Sequence, residues 1–249
     1  MNNSSKDVCI VGGGMGSLSA AIYLNKKGFN VSIYEKNSTL GGRANIIKEN
    51  GFKFDVGPSL LNYPWIFENL FKEAGEKISD HIDLIEIDSG VKFLWDDKET
   101  FTITSDFPKL SNEIARLEKS HINGLSSFLK INSQRYHTAF EKLLNRNLDN
   151  PINWGTGLGA KELFSGSMFK SMYKDLGSHF KSRHIKEAFG SYAMYLGGSP
   201  FKIPGFFSIL PYGEIAYGLW MPRGGIYSLI EKLEEILIKI GVKIFKDSP

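Results

Sequence analysis

One cysteine in 249 residues, five histidines without metal-like spacing and no internal repeat leave several function classes empty. A single thiol, Cys9, excludes an internal disulfide and any Cys-x-x-Cys centre, which suits a reducing compartment such as the cytoplasm. Cys9 stands inside an apolar run and is expected to be a small core residue. No G-x-S-x-G, Cys/His constellation or low-complexity tract stands out. Charge of one sign is also scarce: 30 Lys and Arg face 27 Asp and Glu, a net +3. A nucleic-acid footprint needs basic residues across more of the chain and a recognisable motif, so no nucleic-acid partner is expected. Long apolar runs are missing too. The uncharged stretch Val8–Asn25 follows Lys6, but Gly12, Gly13, Gly14 and Gly16 split it. It is neither a continuous secretory h-region nor the roughly 20 apolar residues of a membrane span.

What is present begins with DVCIVGGGMGSLSAAIYLNKKGFNVSIYEK, Asp7 to Lys36. It reads as a buried strand (Val8–Val11), a tight turn, a helix from about Met15 to Lys27 ended by Gly28, and a second strand (Val31–Tyr34). This is the first half of a βαβ unit. Gly12 allows the tight turn and Gly14 lets backbone approach a pyrophosphate, which the free N–H groups of the helix start would meet with a favourable dipole. The third position of the G-x-G-x-x-G/A pattern is Ser17, small enough to fit with a slight displacement of the helix. Glu35 closes the second strand twenty-three residues after Gly12, where an acid can accept hydrogen bonds from a ribose hydroxyl pair. A glycine-rich turn without a ligand is the bland alternative.

The continuation KNSTLGGRANIIKENGFKFDVGPSLL departs from a simple NAD dehydrogenase, which would enter another helix and a third parallel strand. Gly41 and Gly42 form a second bare-backbone turn, and Arg43 beside them can neutralise a phosphate or be an ordinary surface arginine. Asn50-Gly51 between alternating runs signals a hairpin, which would bring Gly57-Pro58-Ser59 back toward the dinucleotide.

These residues carry a resemblance. The pattern E-K-x5-GGRA followed by GFKFDVGPSLL resembles the amine-oxidase-like FAD proteins, and most closely the bacterial-type phytoene (carotenoid) desaturases. The later block with LGGSPF, an aromatic and Pro-rich stretch and MPRGG before an amphipathic helix is similar to the desaturase branch. The resemblance runs from Val8 to Pro249 and implies FAD as cofactor. The fold it implies is α/β, a Rossmann-type FAD/NAD(P)-binding domain with an inserted α+β substrate domain, C-terminally incomplete. The domain boundaries expected are 1–64 and 222–249 for cofactor binding and 65–221 for the inserted substrate and membrane-facing part. The candidate cofactor-binding set is Gly12, Gly14, Met15, Gly16, Ser17, Glu35, Lys36, Gly41, Gly42, Arg43, Gly57, Pro58 and Ser59, with no metal site. The sequence isolates no catalytic acid or base.

In the middle, Leu84–Ile87, Val91–Trp95 and Phe101–Thr104 read as short antiparallel strands. Helices are expected over Ser111–Lys119 and Leu125–Arg146, broken at His121–Gly124, with a loop at Asn147–Gly159. Near the end Ile226, Leu229, Ile230, Leu233, Ile236, Leu237 and Ile240 recur at helical spacing, Gly241 marks a stop, and Val242–Phe245 would rejoin the nucleotide-binding sheet. Between Ala160 and Lys186, six basic residues face two acidic ones, a local +4. Phe164, Met168, Met172, Leu176 and Phe180 recur there every four residues. This stripe reads either as an amphipathic basic helix on a membrane surface or as a core helix with a solvated lysine face.

The activity implied by the resemblance is FAD-dependent desaturation of a long isoprenoid hydrocarbon such as phytoene, with electrons passed on to oxygen or a quinone. A related carotenoid isomerase, an amine oxidase or an inactive dinucleotide-binding remnant are the alternatives. Burying some forty carbons is worth roughly 30 kcal/mol at ~0.8 per CH₂, so an apolar polyene substrate stays in the bilayer. A cytoplasmic protein peripherally associated with the membrane is therefore expected. In the resembling family a further large portion follows. These residues are accordingly expected to leave an unpaired sheet edge and an uncovered apolar face on the Ile226–Ile240 helix, and to hold FAD weakly alone.

Overall fold

The apolar run before the glycines forms β1 (Asp7–Val11), the small-residue run forms α1 (Met15–Lys26), and Asn30–Tyr34 forms β2, parallel to β1. These elements come from a computed structural model that describes residues 6–119, 121–144 and 167–249, without the side chains at 121, 122, 142 and 143. Gly28 stops α1 at φ +84°, a left-handed turn that only a residue without Cβ takes freely. α1 buries Leu18, Ala21 and Ile22 in one core with Val31 and Ile33 of β2. Asn50-Gly51 turns β3 (Asn45–Glu49) into β4 (Phe52–Val56), with Glu49 opposite Phe52 and Asn45 opposite Val56. α2 (Pro64–Glu73) opens with proline, whose missing N–H costs nothing at a helix start. β5 (Leu84–Ile87) follows.

By internal contacts the chain forms two compact units, Met1–Ile87 with Leu219–Pro249, and Asp88–Gly218. The second opens with the antiparallel pair β6 (Val91–Leu94) and β7 (Thr100–Ile103). α3 (Phe107–Leu117) starts earlier than the sequence spacing predicts, because Asp106 caps it by accepting from the Lys109 N–H at 3.0 Å. α4 (His121–Ala139) runs on into a π-helical turn, Phe140–Leu144. The break thus lies before His121 and not over His121–Gly124. Gly124 sits inside the helix, where a Cβ would run into the His179 carbonyl, so it serves close packing and not helix termination. The Asn147–Gly159 loop, Lys161, Glu162 and Phe164 lie outside the described residues.

α5 (Met172–Leu176), α6 (Arg183–Gly190) and α7 (Ile209–Tyr217) complete the second unit. The basic stripe needs correction here. Met172, Leu176 and Phe180 are fully buried, and Phe180 packs against Phe128 and Phe189 with centroids at 5.7 and 5.3 Å. In its described part the four-residue period crosses a turn, a five-residue helix and a following residue, so it is no single helix face. The stripe is core. Beneath it Arg135 donates to both carboxylate oxygens of Asp175, at 2.6 and 3.1 Å.

The chain then returns to the first unit. β8 (Leu219–Pro222) pairs antiparallel with β5, so Leu84–Ile87 takes this distant partner and not the next strand in sequence. α8 (Ile226–Lys239) leads to β9 (Lys243–Phe245), which lies parallel to β2 and gives the order β1-β2-β9. Leu229, Ile230, Leu233, Ile236 and Leu237 of α8 are buried in the core that α1 shares. The expected uncovered face on this helix is therefore wrong: α1 covers it. Cys9 is also corrected, since it is exposed. β1 is an edge strand among the described residues, and its odd-numbered side chains, Cys9 and Val11 included, take the open side.

Glu214 on α7 is the exception among buried acids. Both carboxyl oxygens are shut off from solvent. Burial raises its pKa above the ordinary 4.5, and the Tyr192 hydroxyl offsets this in part. The folded state therefore keeps this proton to higher pH than the unfolded chain does. Its stability is full below pH 4.5 and falls as pH rises through the folded pKa. Glu214→Gln should raise the melting temperature at pH 7–8 and remove that part of the decline. Thermal unfolding from pH 4 to 8 checks this; parallel profiles for the two proteins would refute it.

Candidate functional site

The first glycine turn is anchored at both ends. The Gly12 N–H donates to the Tyr34 carbonyl at 2.7 Å, which ties the turn to β2. Gly14 then begins α1 with no side-chain cap and no acid in the first turn. An uncapped helix start with its dipole intact is an anion site waiting for an anion. Ser17 occupies its helical place, its N–H on the Gly14 carbonyl at 2.9 Å.

The second glycine turn packs directly on the first. The Gly41 N–H donates to the Gly13 carbonyl at 2.8 Å, and a Cβ on Gly42 would stand 3.2 Å from the Gly14 Cα. A Cβ on Gly41 would collide with the Ala44 carbonyl, and one on Gly57 with the Arg43 carbonyl; both glycines also have positive φ, +109° and +118°. Three separate segments thus meet as bare backbone. Between them lies a cleft of about 640 Å³ lined by Gly14, Met15, Gly16, Gly41, Arg43, Ala44, Gly57 and Pro58. That is within the usual size of a cofactor pocket. Arg43 is exposed and makes no ion pair among the described residues. A glycine-walled cleft holding an uncapped helix start and an unpaired guanidinium fits a diphosphate.

A second, apolar pocket of about 270 Å³ shares Met15, Ala44 and Pro58 with the cleft and is otherwise lined by Leu60, Leu61, Asn62, Phe67, Ile226 and Leu229. Of the predicted set, Gly12, Ser17, Glu35, Lys36, Gly42 and Ser59 are not in the cleft wall. Glu35 and Gly42 touch residues that adjoin or form it. Lys36 and Ser59 are exposed.

Glu35 is buried, with 5% of its surface exposed. Its Oε2 accepts from the Gly13 N–H at 2.6 Å, and its Oε1 from the Asn37 N–H at 2.9 Å and the Asn37 side-chain amide at 2.7 Å. The Asn37 and then the Gly13 backbone bonds hold its pKa below the ordinary glutamate value. Sequence reasoning missed Asp55 of β4. Its carboxylate accepts from the Ile226 N–H at 2.5 Å and the Tyr227 N–H at 3.3 Å, capping α8 from a distance. The signal was available: a helix preceded by Arg-Gly-Gly has no cap of its own, and an acid lies in the FKFDVGPS segment. Gly225 leaves the room, since a Cβ there would strike the Asp55 carboxylate.

Comparison with known proteins fits this geometry. Residues 10–74 match the NAD(P)-binding Rossmann-like domain. The zeta-carotene-forming phytoene desaturase of Myxococcus xanthus is 29% identical over 248 residues, 100% of this chain and 48% of that protein. The phytoene desaturase of Phycomyces blakesleeanus is 32% identical over 98% of this chain and 42% of its own length. Along nearly its whole length the chain is similar to phytoene desaturases. It spans about half the length of these relatives. A 4,4'-diapolycopene oxygenase of a Methylomonas species is 29% identical over 99% of the chain. Among solved structures, an oxidoreductase from Methanosarcina mazei superposes with a TM-score of 0.59 at 19% identity, over 97% of this chain and 51% of that one. A putrescine oxidase gives 0.57 at 15%, over 98% and 51%. The chain shares the fold of these structures over nearly its whole length, with the Rossmann-like domain at its start.

Because the Glu35 charge is held by backbone N–H groups, its stabilisation is present above pH 4.5 and lost as pH falls through the lower folded pKa. Glu35→Gln should lower the melting temperature at pH 7 and flatten its fall below pH 4.5. Melting curves of both proteins between pH 3 and 7 test this, and an equal acid-side fall would refute it.

Proposed function

We propose that the chain acts in FAD-dependent desaturation of a long isoprenoid hydrocarbon such as phytoene, in carotenoid biosynthesis. The observation that carries this reading is the likeness to phytoene desaturases along 98–100% of the chain, joined to a glycine-rich cleft that holds Arg43. When bound, FAD would take up the two electrons released as a saturated C–C pair becomes a double bond, and would pass them to oxygen or a quinone.

The chain's own residues hold and shield. Gly12, Gly14, Met15, Gly16 and Ser17 would present the α1 N-terminus to the diphosphate, with Gly41 and Gly42 closing over it and Arg43 balancing its charge. Glu35 would accept from the ribose hydroxyls with lone pairs left over from its backbone bonds, and Lys36 would lie beside it. Gly57-Pro58-Ser59 would border the isoalloxazine, and the apolar pocket around Leu61 and Phe67 would exclude water from that end. The cofactor would sit on 1–64 and 222–249, and the substrate on 65–221.

The protein would work peripherally on the cytoplasmic side of a membrane, where an apolar polyene of this length resides. Among the described residues no helix is long and apolar enough to cross a membrane. Oxygenation of a polyene is a second reading, favoured by the likeness to the diapolycopene oxygenase. Product analysis in a phytoene-accumulating host separates the two: added double bonds support desaturation, added oxygen the alternative. Bound flavin with phytoene untouched would count against both.

The cofactor assignment has its own test. Removing one charge-assisted contact costs roughly 1.5–3 kcal/mol. Arg43→Glu should therefore weaken FAD binding by about tenfold or more without altering the melting temperature of the unliganded protein. Titration of flavin fluorescence measures it; an unchanged Kd would remove Arg43 from the site.

A further inference from the structure

The second unit carries one feature that neither the cofactor cleft nor its own core explains. Residues 167–173 and 200–206 run side by side as an irregular antiparallel ribbon. Ser171 bridges Pro204; the Met172 and Tyr173 N–H groups donate to the Ile203 and Pro200 carbonyls at 2.7 and 3.0 Å; and the Gly205 N–H donates to the Lys170 carbonyl at 2.8 Å. The underside is closely packed. Met172 is fully buried, and Gly205 lies against Asp175, which Arg135 fixes with two bonds.

The outer side is the opposite of a settled surface. Phe169 is 79% exposed and Phe201 64%, with Met168 exposed next to Phe169. The Phe201 ring packs at a tilt on Tyr173 with centroids 4.6 Å apart, and the Lys186 ammonium lies 5.0 Å from the Tyr173 ring. Lys170 and Lys202 on the paired segments and Lys174 just beyond the first are exposed and make no ion pair among the described residues. The nearby acids are spent: Asp175 on Arg135, and Glu187 on Arg183 at 2.7 Å.

Apolar rings held outward on a closely packed backing, amid cations whose stems can reach along them, match the chemistry of an anionic bilayer surface. The rings would enter the acyl boundary and the ammonium groups would meet lipid phosphates. Among the described residues nothing packs over these side chains, and an acidic protein partner would give the protruding phenylalanines no apolar phase to enter. We infer that the ribbon bearing Phe169 and Phe201, flanked by Lys170, Lys174 and Lys202, is the surface by which this protein docks on anionic lipid. This deepens the membrane-peripheral reading above and rests on it.

The 249-residue chain is incubated with vesicles of three parts phosphatidylcholine to one part phosphatidylglycerol, and bound protein is measured by co-sedimentation. Phe169→Ser with Phe201→Ser should lower partitioning by about tenfold or more, since each ring loses the apolar transfer it gains at the boundary. Lys170→Glu, Lys174→Glu and Lys202→Glu together should lower it about a hundredfold at low salt, with a smaller effect at high salt. All five positions are on the surface, and unchanged melting temperatures establish that the variants fold. Phe201→Trp should gain emission that lipids brominated on the acyl chain quench. Wild-type binding that both variant sets leave unchanged would overturn this surface while leaving the membrane reading intact. No wild-type binding at all would overturn both. A concentration-dependent dimer abolished by the serine pair would assign the patch to a second copy of the chain and overturn the lipid assignment.

Discussion

Three turns of backbone meet, two of them with no room for a Cβ, and the rest of the first unit is arranged to bring them there. Gly14, Gly41 and Gly57 come from a strand–helix turn, a second turn just beyond β2, and the end of a hairpin. A methyl group at Gly41 or Gly57 would collide with a neighbouring carbonyl. The sheet order β1-β2-β9 and the packing of α1 with α8 fix the first turn. The hydrogen bond from Gly41 to Gly13 fixes the second, and Asp55 ties the hairpin to the start of α8. Remove the close approach and the cleft loses half of its wall, because four of its eight lining residues are glycines. What remains charged in it is one guanidinium and the start of a helix, both of the sign that a diphosphate needs.

The two acids around this cleft are used in one way. Glu35 and Asp55 each accept from backbone N–H groups of a turn or helix start, bonds that a charged acceptor makes stronger than a neutral one. Their effect is mechanical before it is chemical. Glu35 couples the end of β2 to the residue between Gly12 and Gly14, so whatever binds beside the carboxylate meets a loop already held in place. Asp55 sets the direction of α8, and through the same hairpin the position of Gly57.

This also marks the limit of what was legible in the sequence. The βαβ start, the Asn50-Gly51 hairpin and the Ile226–Lys239 helix were readable because local rules decide them: period, glycine stops and turn chemistry. The partner of Leu84–Ile87 was not, because pairing with Leu219–Pro222 is a contact across more than 130 residues that no local pattern announces. Cys9 was misread because apolar character fixes a strand but not which side of it is covered. The spacing of Met172, Leu176 and Phe180 left a membrane-surface helix and a core helix both open. Their burial came from different short elements folding over one aromatic core. Within the candidate site, residue types pointed to Gly14, Gly41 and Arg43; Asp55 needed the fold, because a remote cap is recognised only when both ends are in view.

Inside the second unit, acids are buried by two different routes, and the difference shapes its surface. Asp175 keeps a guanidinium partner, so charge is balanced internally at the cost of taking both groups from water. Glu214 has no such cation, and burial there favours the neutral acid. Neither route leaves negative charge facing outward. The ammonium groups of Lys170, Lys174 and Lys202 are therefore not offset from below, and the field at the ribbon is set by the cations themselves. An interior that neutralises its own acids leaves the outer face basic, beside aromatic rings already turned to solvent. That combination follows from how the core was closed, and it gives this part of the molecule a sign and a polarity that the near-neutral composition of the whole chain conceals.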